Sequence, residues 1–304
     1  MSLANTVVMV SPDKFGFNPQ TAGTNPFQHN IALPPQKLRD RAMNEFRNMV
    51  TILEKEKIRT LILGSRIDVV TPDAVFPNNW FSHHRDGKLV VYPMFAENRR
   101  MERQPHNLKN LLNDAGIDHI KMIDMTKAEL ANQFLEGTGS MVLDRKNRVA
   151  FAMESERTHR QEFNKWCRKM GYEGFFLHAL DSDLKPIYHT NIVMSLGDGY
   201  AVVCLNAINS EKERYLLEKK LRQIRKEIIP LTVEQMDRFC GNIIQLNSTD
   251  KKPKIIMSET AYGAFTPSQK ATLKKYGKLV TVPIPTIETV GGGSARCMIA
   301  EIFA

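Results

Sequence analysis

The sequence predicts a single α/β domain built as a closed ring of about five similar blades. Three observations point there. A unit of β-hairpin, helix and strand recurs along the chain. Its turn pairs, Asp86-Gly87, Lys146-Asn147 and Asp198-Gly199, begin at residues 86, 146 and 198, and a period of about 50–60 residues fits about five times into 304. No low-complexity linker divides residues 1–304 into two domains.

In chain order, Thr6 to Ser11 is a short β-rich run. The Gly, Asn, Pro and Thr-rich segment Pro12 to Pro35 follows, too polar for a core and open to reading as an active-site lid or a surface connection. Gln36 to Lys57 places Leu38, Ala42, Met43, Phe46, Met49, Val50 and Leu53 on one helical face, and Leu61 to Leu63 reads as a buried strand. The hairpins Asn79 to Met94, Gly139 to Met153 and Asn191 to Leu205 each place two β-rich arms about a turn-forming pair. Helical stretches Glu97 to Ala115, Glu154 to Met170 and Ser210 to Ile228 follow them, each leading to a strand: Ile120 to Ile123, Gly174 to His178 and Ile243 to Leu246. Thr126 with Glu129, Thr232 with Gln235 and Thr266 with Gln269 have capping-box spacing, and Gly277 is placed to close the last of these helices.

Hydrophobic residues at 42% and charged residues at 25% describe an ordinary globular chain. No apolar run approaches the ~20 residues that span a bilayer, and Met1 to Asn5 lacks a basic segment followed by an apolar one, so a cytoplasmic location with no membrane partner is expected. The net charge of +9 comes from Lys and Arg mixed with acids along helical segments, without a zinc-finger or RNA-recognition signature. No nucleic-acid partner is expected, whereas a positive field favours anionic small molecules. Four cysteines without CxxC spacing suit a reducing compartment and provide no zinc site.

Cys167, Cys204 and Cys240 lie in apolar helix or strand patterns, but Cys297 follows Gly291-Gly292-Gly293-Ser294-Ala295-Arg296. A glycine run admits close approaches that present a nucleophile to a small substrate, although a buried thiol opening a C-terminal strand fits the same residues. The repeat adds chemistry to this position. Asn78, Glu136 and His189 stand eight, ten and nine residues before their turn pairs, and equivalent strand ends of a closed array converge on its axis. Cysteine, histidine and carboxylate then form a set suited to covalent catalysis at an electrophilic carbon. Taken singly, His189 also reads as a core histidine and Glu136 as a turn group. His83-His84 points to opposite strand faces and cannot easily share an ion. Neither a Gly-x-Ser-x-Gly turn nor a phosphate loop is present.

Glu136-Gly137-Thr138-Gly139, His189-Thr190-Asn191 and Gly291 to Met298 resemble the catalytic blocks of the guanidino-group-modifying (pentein) superfamily, which contains arginine deiminases, dimethylarginine hydrolases and amidinotransferases. Phe76-Pro77-Asn78-Asn79-Trp80-Phe81 resembles a further block. Phe15-Gly16-Phe17-Asn18, Thr21-Ala22 and Phe27-Gln28 resemble bacterial proteins of citrulline use. The resemblance implies a five-bladed α/β propeller of ββαβ units. It implies Cys297 as nucleophile, His189 as general acid and then base, Glu136 as a ligand for substrate nitrogens, and no cofactor.

The departures bear on the substrate. Aligned on Pro77-Asn78, the deiminase acid that clamps a guanidinium falls at His84, and the acid two residues after the histidine is Asn191. Thr289-Val290 stands where deiminases carry an arginine. One glutamate among Asn and His suits a neutral ureido group, which favours citrulline, cleaved to ornithine, over arginine. Asn78 and Phe81 are candidate pocket residues, and Arg99 and Arg296 are candidate partners of a substrate carboxylate. An arginine deiminase or amidinotransferase is the alternative enzyme, and a non-catalytic propeller, as in a ribosome anti-association factor, the alternative class. Homodimers are common in the superfamily, and no interface is legible here.

Overall fold

The computed structural model describes residues 3–303, so Met1 and Ser2 of the amino-terminal reading, and Ala304, lie outside the described residues. Fifteen described strands form five three-stranded sheets. The first sheet contains β1 (Thr6–Val10) and β2 (Arg59–Leu63), joined through the long helix Pro35–Lys55. The second is β3 (Phe81–His83), β4 (Lys88–Val91) and β5 (Lys121–Asp124), and the third is β6 (Met141–Asp144), β7 (Val149–Met153) and β8 (Glu173–Leu177). The fourth is β9 (Met194–Leu196), β10 (Tyr200–Val203) and β11 (Glu227–Pro230), and the fifth is β12 (Ile244–Asn247), β13 (Pro253–Ser258) and β14 (Lys278–Val282).

Every sheet obeys one rule: the first two strands pair antiparallel and the third runs parallel to the second. The first sheet obeys it only when β15 (Ala300–Ile302) returns from the far end of the chain to pair with β1, Thr6 opposite Ile302. This pairing closes a ring of five ββαβ units, the arrangement that the resemblance implies. The helix of the first unit buries Leu38, Ala42, Phe46, Met49, Val50 and Leu53, as its periodicity requires.

Six details differ from the sequence reading. The helix expected over Ser210 to Ile228 stops at Gln223, where Arg225 takes a left-handed conformation, and Glu227–Pro230 supplies the strand parallel to β10. Ile243 to Leu246 therefore opens the next blade instead of completing the third hairpin's unit. The stretch Glu97 to Ala115 is two helices, Glu97–Arg100 and Pro105–Asp114, because Pro105 restarts the helix at its first turn. The helix expected from Glu154 begins only at Arg160, after Ser155 has bridged Thr158. The capping boxes at Thr232 and Thr266 form. Glu129 instead receives Arg103 and the Met94 N–H, which leaves Thr126 without a box, and Lys275, not Gly277, caps the helix Pro267–Lys274.

The segment Pro12 to Pro35 is the largest correction. Asp13, Gln20, His29 and Asn30 stay at the surface, but four of its polar residues, Asn18, Thr21, Asn25 and Gln28, are buried. They find partners inside, Asn18 Nδ2 and Thr21 Oγ1 on Asp73, Gln28 Oε1 on Thr21, and Asn25 on the Gly292 carbonyl. Burial of a polar chain is tolerated when its groups are bonded, and here they strap one end of the ring.

Candidate active site

Two short helical turns at equivalent places in successive blades position the central pair. Glu136 precedes the turn Gly137–Ser140 and His189 precedes Thr190–Val193. Their backbones are knitted together, since Thr190 Oγ1 donates to the Ser140 carbonyl and Ser140 Oγ donates to that of Arg157. His189 Nε2 and Glu136 Oε2 meet at 2.8 Å, while the other carboxylate oxygen accepts the Phe95 N–H at 2.9 Å.

Burial opposes ionisation of Glu136, but the His189 hydrogen bond and the nearby Arg157 and Arg99 charges outweigh it and hold the carboxyl at about 2. Burial pushes His189 down to about 4 despite Glu136 beside it. The pair is therefore a carboxylate and a neutral imidazole near pH 7. The proton sits on Nε2, where Glu136 accepts it, and Nδ1 is the free base. Gly139 keeps the space beside that atom open, because a Cβ there would lie 2.8 Å from Nδ1.

The glycine run has a local cause. Gly291 ends the helix Pro285–Gly291, and Gly292, at φ +63, caps it. A Cβ at Gly291 or Gly293 would come within 3 Å of Phe76, so the run lets an aromatic lie against its backbone. The Gly292 carbonyl accepts from Tyr188 Oη at 2.6 Å, which ties the run to the residue before His189. A tight turn follows, Cys297 N–H to the Ser294 carbonyl at 2.9 Å, and it delivers Cys297 to the ring's interior at 4% exposure. There Sγ meets two carboxamides, Asn242 Nδ2 at 3.2 Å and Asn191 Nδ2 at 3.5 Å.

Of the sequence-derived residues, Cys297, Asn191, His189 and Glu136 thus lie on adjoining turns. Asn78 is fully buried beside them, its carbonyl accepting from Thr138 Oγ1 and both side-chain polar atoms unpaired. Glu136, expected to hold substrate nitrogens, accepts one hydrogen bond at each carboxylate oxygen, as described above. The others are placed differently. Arg99 is locked to Glu102 by two hydrogen bonds and to Asn79 Oδ1 by a third. Arg296 turns its guanidinium to the Ile299 carbonyl and Glu301. His84 pairs with Ser82 and Arg145, its neighbour His83 accepts from the Phe303 N–H, and Phe81 packs on Trp80 within its blade.

Sequence reasoning missed Asn79, Asp73, Arg157 and Asn242. Asn79 Nδ2, Asp73 Oδ1 and Arg157 Nε are buried and unpaired. Arg157 also holds the strap, donating to the Thr21 carbonyl and Thr24, and lies 5.0 Å over the Tyr188 ring. The overlooked signal for Asn242 was the repeat itself: it stands just before β12 as Asn191 stands before β9.

The comparisons agree with this architecture. The N-terminal domain of ArgZ, an arginine dihydrolase of cyanobacteria, superposes with a TM-score of 0.75 at 18% identity, over 98% of this chain and 99% of that one. Unliganded AgrE gives 0.75 at 19% identity, and there the chain spans 98% of itself but 40% of the relative. DDAH from Pseudomonas aeruginosa, solved with citrulline, gives 0.66 at 12% identity, over 98% and 99%. At such identities the likeness is one of fold. No curated protein sequence matches the chain. The family model described as N,N dimethylarginine dimethylhydrolase, eukaryotic, matches residues 11–304. Matched over nearly its whole length, the chain belongs to the N,N dimethylarginine dimethylhydrolase family of the pentein superfamily.

Proposed function

We propose that the chain is a cysteine-dependent hydrolase acting on the central carbon of a ureido or guanidino amino acid, with citrulline, cleaved to ornithine, as favoured substrate. The observation that supports this most is the chemistry around Cys297: two carboxamides touch Sγ, and among the described residues no carboxylate hydrogen-bonds it. Amides both donate and accept, which suits a neutral ureido group, whereas a guanidinium favours carboxylates. The unpaired amides of Asn78 and Asn79 extend the same surface.

His189 takes the thiol proton and Glu136 steadies the resulting imidazolium. Sγ bonds to the ureido carbon, and the ornithine nitrogen leaves with the proton from His189. A thiocarbamate remains on Cys297. Water then gives a proton to His189 and attacks the carbon, the S–C bond breaks as that proton passes to Sγ, and carbamate departs to decay to ammonia and carbon dioxide. Beneath the strap, Asp73 Oδ1 and Arg157 Nε have unused bonding capacity and suit the ammonium and carboxylate of an amino acid. Burial raises the Asp73 pKa against the Arg99 and Arg157 charges, and an ammonium beside it would favour its carboxylate form. Asp73 and Arg157 take the place first given to Arg99 and Arg296.

A second reading, hydrolysis starting from arginine as ArgZ is described to perform it, is favoured by Asp73, a buried carboxylate oxygen able to meet a cation. Incubation with citrulline, arginine and dimethylarginine, scored for ornithine, citrulline and ammonia, separates them. Ornithine from citrulline is expected. Citrulline accumulating from arginine or dimethylarginine, with none consumed, would refute the leading reading, and dependence on an added amine would indicate transfer.

A further inference from the structure

We infer that Asn242 is a catalytic residue that holds the Cys297 sulfur in both of its protonation states; this rests on the reading of Cys297 as nucleophile. Asn242 is fully buried, in the turn between Cys240 and β12, and among the described residues the other side chain hydrogen-bonded to Sγ is Asn191, at 3.5 Å. Its carboxamide is fixed at both ends. Oδ1 accepts the Arg296 N–H at 3.1 Å, and Nδ2 donates to the Asn191 carbonyl at 3.2 Å. With its orientation so determined, one Nδ2 hydrogen is left for Sγ at 3.2 Å, while Oδ1 lies 3.5 Å from Sγ as acceptor for the S–H.

The need for such a group follows from the surroundings of the thiol. A cysteine commonly gains thiolate character from an imidazolium or a long helix N-terminus. Here His189 is neutral in the resting protein, and the turn Ser294 to Cys297 offers no such helix. The other charged or titratable groups facing Cys297 are Arg296, whose guanidinium is spent on Glu301, and Tyr188, which is committed to the Gly292 carbonyl. Amide N–H donors therefore supply the stabilisation that a full charge supplies elsewhere. Hydrogen bonds to a charged acceptor are roughly twice as strong as those between neutral groups. Asn242 contributes the shorter of the two.

The geometry also explains why the position is asparagine. Aspartate would keep the Arg296 N–H bond but turn a second anion on the thiolate, and alanine would leave the Arg296 N–H without its partner and Sγ with Asn191 alone.

The test follows alkylation of Cys297 by iodoacetamide in the full chain, read by peptide mass spectrometry, as a function of pH. The reaction forms an S–C bond with loss of iodide and requires no substrate, so it is independent of the reaction assigned above. In Asn242→Asp the rate profile is expected to move to higher pH by roughly 1–3 units, and in Asn242→Ser, which retains a donor, by less. Melting temperatures measured alongside identify a variant that fails to fold, and Asn242→Ser then carries the comparison. A folded variant whose profile coincides with that of the unsubstituted chain overturns the inference. A shifted profile in a protein that hydrolyses no ureido or guanidino substrate preserves the hold of Asn242 on Sγ and overturns the proposed function together with the catalytic role.

Discussion

His189 and Glu136 show how burial and a single hydrogen bond set a charge state that composition leaves open. The carboxyl is held at about 2 and the imidazole at about 4, so a proton can be taken up only when chemistry delivers one. Replacing Glu136 by Gln keeps the shape but removes the charge that stabilises the protonated ring, and it also allows the amide to donate where Nε2–H must donate. The expected result is a fall in kcat of about 100- to 10,000-fold with KM little changed, measured on citrulline. A KM effect alone would return Glu136 to the substrate-binding role that the resemblance implied. Cys297→Ser is expected to abolish turnover at an unchanged melting temperature; retained turnover would refute covalent catalysis by this residue.

At the scale of elements, what sequence revealed and concealed divides along physical lines. The hairpins were legible because Asp86-Gly87, Lys146-Asn147 and Asp198-Gly199 punctuate alternating arms, and Glu136 and His189 were legible because the repeat places them alike. Strand β11 was hidden because Ile228-Ile229 continues the apolar periodicity of the helix before it. The strap was hidden because Asn18, Thr21, Asn25 and Gln28 read as solvent-facing, and only the folded ring supplies Asp73, Arg157 and the Gly292 carbonyl as their partners. Asn242 gave no signal of its own, since a lone asparagine between glycine and isoleucine resembles any turn. The strap's docking makes Gly292 a sensitive position. It sits at φ +63, and a Cβ would lie 2.6 Å from Asn25 Nδ2 and Gln28 Cγ. Gly292→Ala should cost about 1–2 kcal/mol from backbone strain alone. It should also expose residues 12–35 to limited proteolysis, and a strap that stays protected would show that its docking tolerates a Cβ at residue 292.

On the scale of the whole molecule, closure of the ring by β15 on β1 makes the blades interdependent. One apolar cluster runs from Val142 through Tyr200 and Ile229 to Leu273, and another joins Val7 and Met49 to Ile256, Val282 and Met298, so no three-stranded sheet owns a core. Unfolding should therefore be a single transition, with the fluorescence of Trp80 and Trp166, in two different blades, coinciding with the loss of far-ultraviolet circular dichroism. The same burial makes the ring sensitive to acid. Burial lowers the folded-state pKa of His189 and His83 to about 4 from an ordinary 6.5. As pH falls from 6.5 to 4, the unfolded chain binds protons that these folded imidazoles refuse, and stability drops by at most about 1.4 kcal/mol per pH unit for each group. Glu136, held at about 2 from an ordinary 4.5, extends the loss as pH falls from 4.5 toward 2. His178 opposes this trend: hydrogen bonding to Glu213 raises its pKa, so its stabilisation is present below 6.5 and fades as pH rises through its raised folded value. It is exposed, and solvent screens the contribution. Melting temperature should therefore fall steadily on acidification below pH 6.5, and His189→Gln should flatten that fall between 6.5 and 4. An equally steep profile in this variant would show that His189 is already protonated in the folded ring, and with it that the resting pair is an imidazolium and a carboxylate.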